Sequence, residues 1–356
     1  MTLLLLILIA LVVWCMHSAP AAGFYAEHVY PAVSAGLTRV ASAVGVSLME
    51  ISVIVLVLAF IRIIVRAVRR RSGFFPCLWK EIKLLAWAFV WFYAAWGLNY
   101  FRSDIYARTG TVSTPYEEAE FHEFLDEFAE QLNANWCPAG QADPDAVEQY
   151  VKTWYAALPA EVGLCRPKDW QHPKRTLFNR LYSAVGVQGY IGPFFDEMHI
   201  NRDIRPLEYP FVFAHEYSHV LGVSNEAEAN FWAFESCRHS PVREFRYSAW
   251  FMLLTHTAGN IRSLLGDEAF EAWLGTLRPE ILADLEDSRT HWRNLRWPWL
   301  SRLQHRFYNL FLRSNGIADG TKNYGQVLRL VLTLSDLYDH EQAVETPETE
   351  ADGQKR

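Results

Sequence analysis

The sequence predicts a mainly α protein in which N-terminal transmembrane helices precede a largely helical α+β extracytoplasmic domain. A short edge strand or hairpin is expected ahead of that domain's central helix. Three observations carry this reading. Apolar runs crowd the chain before residue 101, apolar residues recur at helical spacing through most of the remaining chain, and an aromatic, β-branched stretch breaks that pattern near residue 190.

The chain has 356 residues, of which 51% are hydrophobic, and their uneven distribution divides it. Region 1–101 holds three apolar runs, at about 2–18, 45–66 and 84–100, each read as a membrane helix. In the second, Ile51 to Phe60 carries no charge, and Arg62 and Arg66 can snorkel toward an interface. The third is rich in Trp87, Trp91, Tyr93, Trp96 and Tyr100, side chains that bilayer interfaces favour. No Lys or Arg precedes the first run, which favours a retained helix over a signal peptide cleaved near Ala19-Pro20-Ala21-Ala22. Arg69 to Lys83 is dense in basic residues whereas Arg39 stands alone between the first two runs, so the positive-inside rule puts Arg69 to Lys83 in the cytoplasm. Everything from about Arg102 onward is then expected on the extracytoplasmic side, with the lipid bilayer as a partner.

Residues 102–339 read as one extracytoplasmic domain. Thr114, Pro115 and Glu117 form a cap and capping box ahead of Phe121, Phe124, Leu125, Phe128 and Leu132, and Ala146 to Leu158 repeats the helical pattern. Gly189 to Asn201 reads as a strand or hairpin that Pro193 confines to an edge. Tyr247 to Leu265 is interrupted by His256, Asn260 and Arg262 and reads as a buried helix, not a span. Arg306 to Arg313 precedes a Gly316 stop, Tyr324 to Leu337 forms a last apolar helix, and the acidic tail 340–356 is expected to be disordered. A formal charge of -7 argues against a general nucleic-acid binder. The five cysteines have no CxxC spacing, so a thiolate metal site is not expected, and in an oxidising compartment Cys137 and Cys165 are the expected pair.

The chemistry is concentrated in His215-Glu216-Tyr217-Ser218-His219, followed by Gly222 and Glu226. Residues i and i+4 share a helix face, so the imidazoles of His215 and His219 can converge on one Zn2+ ion. Glu216 stands a residue further round, where a carboxylate can serve as general base to a water on the metal without ligating it. Gly222 lets the chain turn through a left-handed conformation and bring Glu226 back as third ligand, with Glu228 as the rival. Asn230 lies four residues beyond Glu226, where its amide can orient a ligating imidazole from outside the ligand set. Tyr247 and His256 are candidates to stabilise an oxyanion, Glu197 to support the edge strand or bind substrate, and His199 and His239 are structural. The expected activity is metallopeptidase hydrolysis of a peptide or protein substrate, membrane-proximal substrates included. The alternative reading is a membrane-anchored binding or assembly protein with a structural zinc closed by Glu228 or His239, or a zinc amidase acting on a non-peptide substrate such as cell-wall fragments.

Several stretches together resemble the bacterial membrane family catalogued as domain of unknown function 3810. They are Trp96 to Arg102, Gly189 to Asn201 with Pro193-Phe194 and Glu197, the HExxH stretch with Glu226 to Phe231, Arg246-Tyr247-Ser248, and Asn315-Gly316 with Gly320 and Tyr324-Gly325. The resemblance implies a membrane-anchored HExxH protein of the bacterial cytoplasmic membrane and names no substrate. Glu226-Ala227-Glu228-Ala229-Asn230 is also similar to the glutamate-bearing helix of the gluzincin peptidases, which implies a zincin-like domain with Glu226 on the metal.

Overall fold

The computed structural model describes residues 2–69, 74–113, 118–138, 140, 143–315 and 324–342, and it is mainly helical with one two-stranded sheet. The Thr114, Pro115 and Glu117 cap, the Gly316 stop and the tail beyond Gln342 lie outside the described residues; residues 340–342, expected to begin the disordered tail, instead end the last helix.

The N-terminal region runs through α1 (Thr2–Met16), α2 (Ala19–Phe24), a π-helical turn (Tyr25–Val29), α3 (Tyr30–Ser42), α4 (Leu48–Arg69) and α5 (Phe74–Ala95). Among the described residues α4 alone is, by itself, long and apolar enough to cross a membrane; α1 and the stretch Ala19–Ser42 meet that test only as a pair, bent by 104°. The third expected span is displaced. α5 starts at Phe74, takes in Lys80, Glu81 and Lys83, and stops at Ala95, after which a 3-10 turn covers Gly97–Phe101. Tyr93 near its end and Trp96 just after it turn inward: both are buried and donate to the Asn315 side chain and the His219 carbonyl. A buried ring N–H or hydroxyl needs such a partner, and here the protein supplies it.

The rest of the chain forms α6 (Ile105–Thr109), α7 (Glu118–Asn135), α8 (Pro144–Ala157), α9 (Asn179–Val185), β1 (Gly189–Gly192), β2 (Glu197–Ile200), α10 (Tyr209–Val220), α11 (Glu226–Arg238), α12 (Arg243–Leu265), α13 (Asp267–Leu274), α14 (Pro279–Leu295), α15 (Pro298–Ser314) and α16 (Tyr324–Gln342). α10 is central, packed by α8, α11, α12 and both strands. Phe211, Val212, Phe213, Ala214, Tyr217 and Val220 are buried round its whole circumference, as expected of a helix with neighbours on every side. Pro210 stands in its first turn, where a missing N–H breaks no helical bond. Across the core, Phe128 of α7 meets Trp250 and Trp273 edge-on; burying each such ring contributes about 1.5–3 kcal/mol.

β1 and β2 pair antiparallel with Gly189 opposite Ile200, so the expected hairpin is present. Pro193 falls in the connecting turn and not within a strand, and Asp196 ends that turn at a φ of 54°. The expected Cys137–Cys165 bridge is absent: all five cysteines are free. Cys165 is tied by its N–H to the Leu221 carbonyl, beside the end of α10, while Cys137 follows the end of α7.

The helical N-terminal region docks on this body through buried polar bonds. Tyr30 donates to Asp196 and to the Val220 carbonyl, and Ser34 also donates to Asp196. Glu197 accepts from the Leu48 and Met49 N–H groups, capping α4, which removes it from the candidate substrate contacts. Burial pushes the Asp196 carboxyl up to about 7, against the hydrogen bonds from Ser34 and Tyr30 and the charge of His219. Between about pH 4, where an unfolded Asp ionises, and about pH 7 the folded chain therefore holds the extra proton, so the Asp196 contribution to stability is full at the acid end and is lost as pH rises. Asp196→Asn tolerates the left-handed backbone. It is expected to lose less Tm than the wild type between about pH 4.5 and about pH 7.5 in melts of the full chain; equal losses would show that Asp196 does not titrate this way.

Candidate metal centre

α10 carries His215 and His219 one turn apart, and their Nε2 atoms lie 3.2 Å from each other with the rings nearly perpendicular. His219 Nδ1 is 2.7 Å from the Val223 carbonyl, which can only accept, so Nδ1 carries a proton and Nε2 is the atom left to ligate; against the cost of burial, Glu226 and Glu216 raise the imidazole pKa to about 9, so a metal bound there would displace the Nε2 proton. Beyond Val220 the chain reverses at Gly222, whose φ is 99°. A Cβ there would also stand 3.0 Å from the Tyr30 ring, so glycine suits the position on both counts. Asn225 caps α11 by accepting from the Ala227 and Glu228 N–H groups, and this sets Glu226 in the first turn.

The turn is tight enough to return Glu226 to the histidines. Its Oε2 lies 3.3 Å from His215 Nε2 and 3.8 Å from His219 Nε2, and the three candidate ligand atoms all fall within 4.8 Å of one another. Donors about 2.1 Å from a tetrahedral zinc are spaced about 3.4 Å apart, so this triangle has the dimensions of three zinc ligands. Among the described residues it is the one cluster of His, Cys, Asp and Glu with such convergence. Glu228 is committed elsewhere: Arg108 and Arg102 flank it and Trp232 donates to it. His239 bonds the Glu235 carbonyl, and His199 bonds Ser47 and stacks on Tyr190 at 4.1 Å, both structural positions.

Glu216 is 5% exposed, and its Oε2 has no hydrogen-bond partner. Burial pushes its carboxyl up to about 7; His215 and His219 oppose the shift, and Glu226 adds to it. It stands against β1. A Cβ at Gly189 would come within 2.5 Å of Glu216 Cγ, so only glycine lets the carboxylate lie under the strand. Lys174 N–H donates to the Met198 carbonyl on the outer side of β2, and Asn201 N–H donates to Gln188. Alternation then turns the main-chain N–H and C=O of Gly189 and Ile191 away from β2, to the free edge along the cleft.

The cleft encloses about 540 Å³, and its wall includes Phe92, Trp96, Tyr100, Phe211 and Phe311. Three of its features have no local sequence signal. Tyr308 on α15 donates to Glu226 Oε1 at 2.6 Å, Trp96 donates to the His219 carbonyl at 3.0 Å, and Gly189 admits Glu216. Burial and the Glu226 charge hold the Tyr308 hydroxyl well above its usual pKa, so it stays a donor. Asn230 lines the cleft, but its Oδ1 is buried without a partner and it bonds neither imidazole. Tyr247 donates to Asp284 at 2.6 Å and is absent from the cleft wall; His256 is part of that wall, stacked on Phe211 and held neutral by burial, which takes its pKa down to about 4.

Residues 25–332 match the model of a family described as "Protein of unknown function (DUF3810)". No curated protein and no solved structure matches the chain. The contact of Gly189 with Glu216 gives a measurable coupling. Gly189→Ala is expected to destabilise the chain by about 1–3 kcal/mol through overpacking, and Glu216→Ala in the same chain to recover most of that loss. A double-mutant cycle read by denaturant unfolding that returns additive effects would show that the two positions do not touch.

Proposed function

The chain belongs to the DUF3810 family, whose description carries no activity, and we propose that it is a membrane-anchored zinc metallopeptidase with a zincin-like site. In this reading the site lies on the extracytoplasmic side of the bacterial cytoplasmic membrane. Its main support is the convergence of His215, His219 and Glu226 beside a buried carboxylate that has a free oxygen. The donor set fits zinc, since two imidazoles and one carboxylate are ordinary ligands and leave a position for solvent or substrate. A zinc ion bound there would polarise a peptide carbonyl and bring the pKa of an attacking water toward neutrality.

The chain's own residues account for the remaining work. Glu216 accepts the proton of the attacking water and returns it to the leaving amine. Gly189 and Ile191 pair main chain to main chain with an extended peptide, which fixes the scissile bond without reading most side chains. Tyr308 holds Glu226 in its ligating rotamer through Oε1, leaving Oε2 for the metal. Aromatic and aliphatic walls suit apolar side chains on either side of the bond. His256 is neutral and lines the cleft, so its N–H suits a developing oxyanion.

The sidedness draws on the way the helices join the body. The N-terminus of α4 and the C-terminal end of α5 both bond the domain, through Glu197 and Phe194, while Arg62, Arg66 and Arg69 lie toward the far end of α4. With α4 as a span, the basic end is cytoplasmic and the site is outside.

Glu216→Gln is expected to lower peptide hydrolysis by roughly 10²–10⁴-fold with zinc content unchanged by elemental analysis; full activity in that variant would exclude Glu216 as the base. Tyr308→Phe is expected to weaken zinc by about 10–100-fold in a competitive chelation titration, and unaltered affinity would remove its positioning role. If cell-wall fragments are cleaved and peptides are not, the peptidase assignment gives way to an amidase with the same residues.

A further inference from the structure

α15 presents two apolar faces with different surroundings. Gln304, Tyr308, Phe311 and Leu312 line the cleft. Trp299, Leu303, Phe307 and Leu310 recur at helical spacing on another face, where they are 61, 44, 65 and 66% exposed. Arg302, Arg306 and Arg313 run along the edge of this second stripe, and all three are exposed. Water-soluble surfaces rarely leave so regular a row of large apolar side chains uncovered. A Trp-, Phe- and Leu-bearing stripe flanked by arginines is the composition of a helix lying in the plane of a bilayer interface.

The position of the stripe in the fold indicates what covers it. α15 packs on α9, where Leu181, with Leu177 and Phe178 just before the helix, adds exposed apolar surface. The N–H of Leu177 donates to Glu50 in the first turn of α4. Phe311 of α15 meets Phe92 near the end of α5 edge-on. The patch thus sits where α4 and α5 leave the domain, and α4 continues from there with side chains such as Val55, Val57 and Leu58 exposed.

We propose that α9 and α15 form a lipid-facing platform, lying in the interface of the bilayer that α4 crosses. The guanidinium groups of Arg302, Arg306 and Arg313 then reach lipid phosphates while the apolar stripe enters the acyl boundary. One helix thereby joins the membrane surface to the cleft, so the cleft receives polypeptide segments that emerge next to the bilayer. The platform rests on α4 being a span; the substrate class also rests on the peptidase reading.

The test uses the full chain in nanodiscs of phosphatidylcholine and phosphatidylglycerol, with the photo-crosslinker p-benzoylphenylalanine replacing Phe307, Val57 or Leu264 one at a time. Leu264 is an exposed apolar position at the end of α12 and serves as the control. Lipid adducts at Val57 and Phe307, with none above background at Leu264, are expected. Adducts at Val57 but not Phe307, an adduct to a second protein chain at Phe307, or equal lipid labelling of Phe307 and Leu264 would each overturn the platform while leaving the span and the peptidase reading intact. Absence of lipid adducts at Val57 would remove the span, and the platform with it.

Discussion

The turn Leu221–Asn225 is the constraint on which the site depends. α10 can place two imidazoles on one face by helical periodicity alone, but a third ligand requires the chain to reverse within a few residues and return. Gly222 supplies the left-handed backbone, and Asn225 starts the next helix in a register that aims Glu226 at the histidines. The His219 bond to the Val223 carbonyl belongs to the same turn, so one short segment sets both the convergence of the candidate ligands and the orientation of the imidazole.

The N-terminal helices are part of this arrangement and not simply a tether. Tyr30 of α3 bonds the Val220 carbonyl at the end of α10 and the Asp196 carboxyl at the end of the hairpin turn. Trp96, just after α5, bonds the His219 carbonyl. The hairpin is held from the same direction, since Glu197 caps α4 and the Tyr190 hydroxyl donates to Glu50. The candidate metal ligands, the edge strand and the apolar helices therefore share one set of buried polar bonds. Such buried networks are rigid only when their members are satisfied.

Much of the site was legible in the sequence because its core is local. His215, Glu216, His219, Gly222 and Glu226 fall within a helix, a turn and the start of another helix, where spacing fixes geometry. The hairpin was legible from its aromatic and β-branched residues between turn formers, as were most helices from their periodicity. What could not be read depends on long-range packing: Tyr308 reaches Glu226 across 82 residues and Trp96 reaches His219 across 123. The aromatics at the end of α5 misled for the same reason, since Trp and Tyr suit a membrane interface and a polar-lined protein interior equally. Cysteine identity carries no distance, so the bridge between Cys137 and Cys165 had no geometric basis. Gly189 was visible only as a strand boundary; its need for a bare backbone comes from Glu216, which another element delivers.

In the proposed site, two imidazoles and one carboxylate grip a single divalent ion and leave a place for solvent. X-ray absorption at the zinc edge on the metal-loaded full chain tests it most directly. The expected result is one zinc per chain with a coordination shell of nitrogen and oxygen donors, two of them imidazole, and the loss of that signature in His219→Ala. Sulfur in the coordination shell, four ligands all supplied by the protein, or a spectrum unchanged by His219→Ala would contradict it.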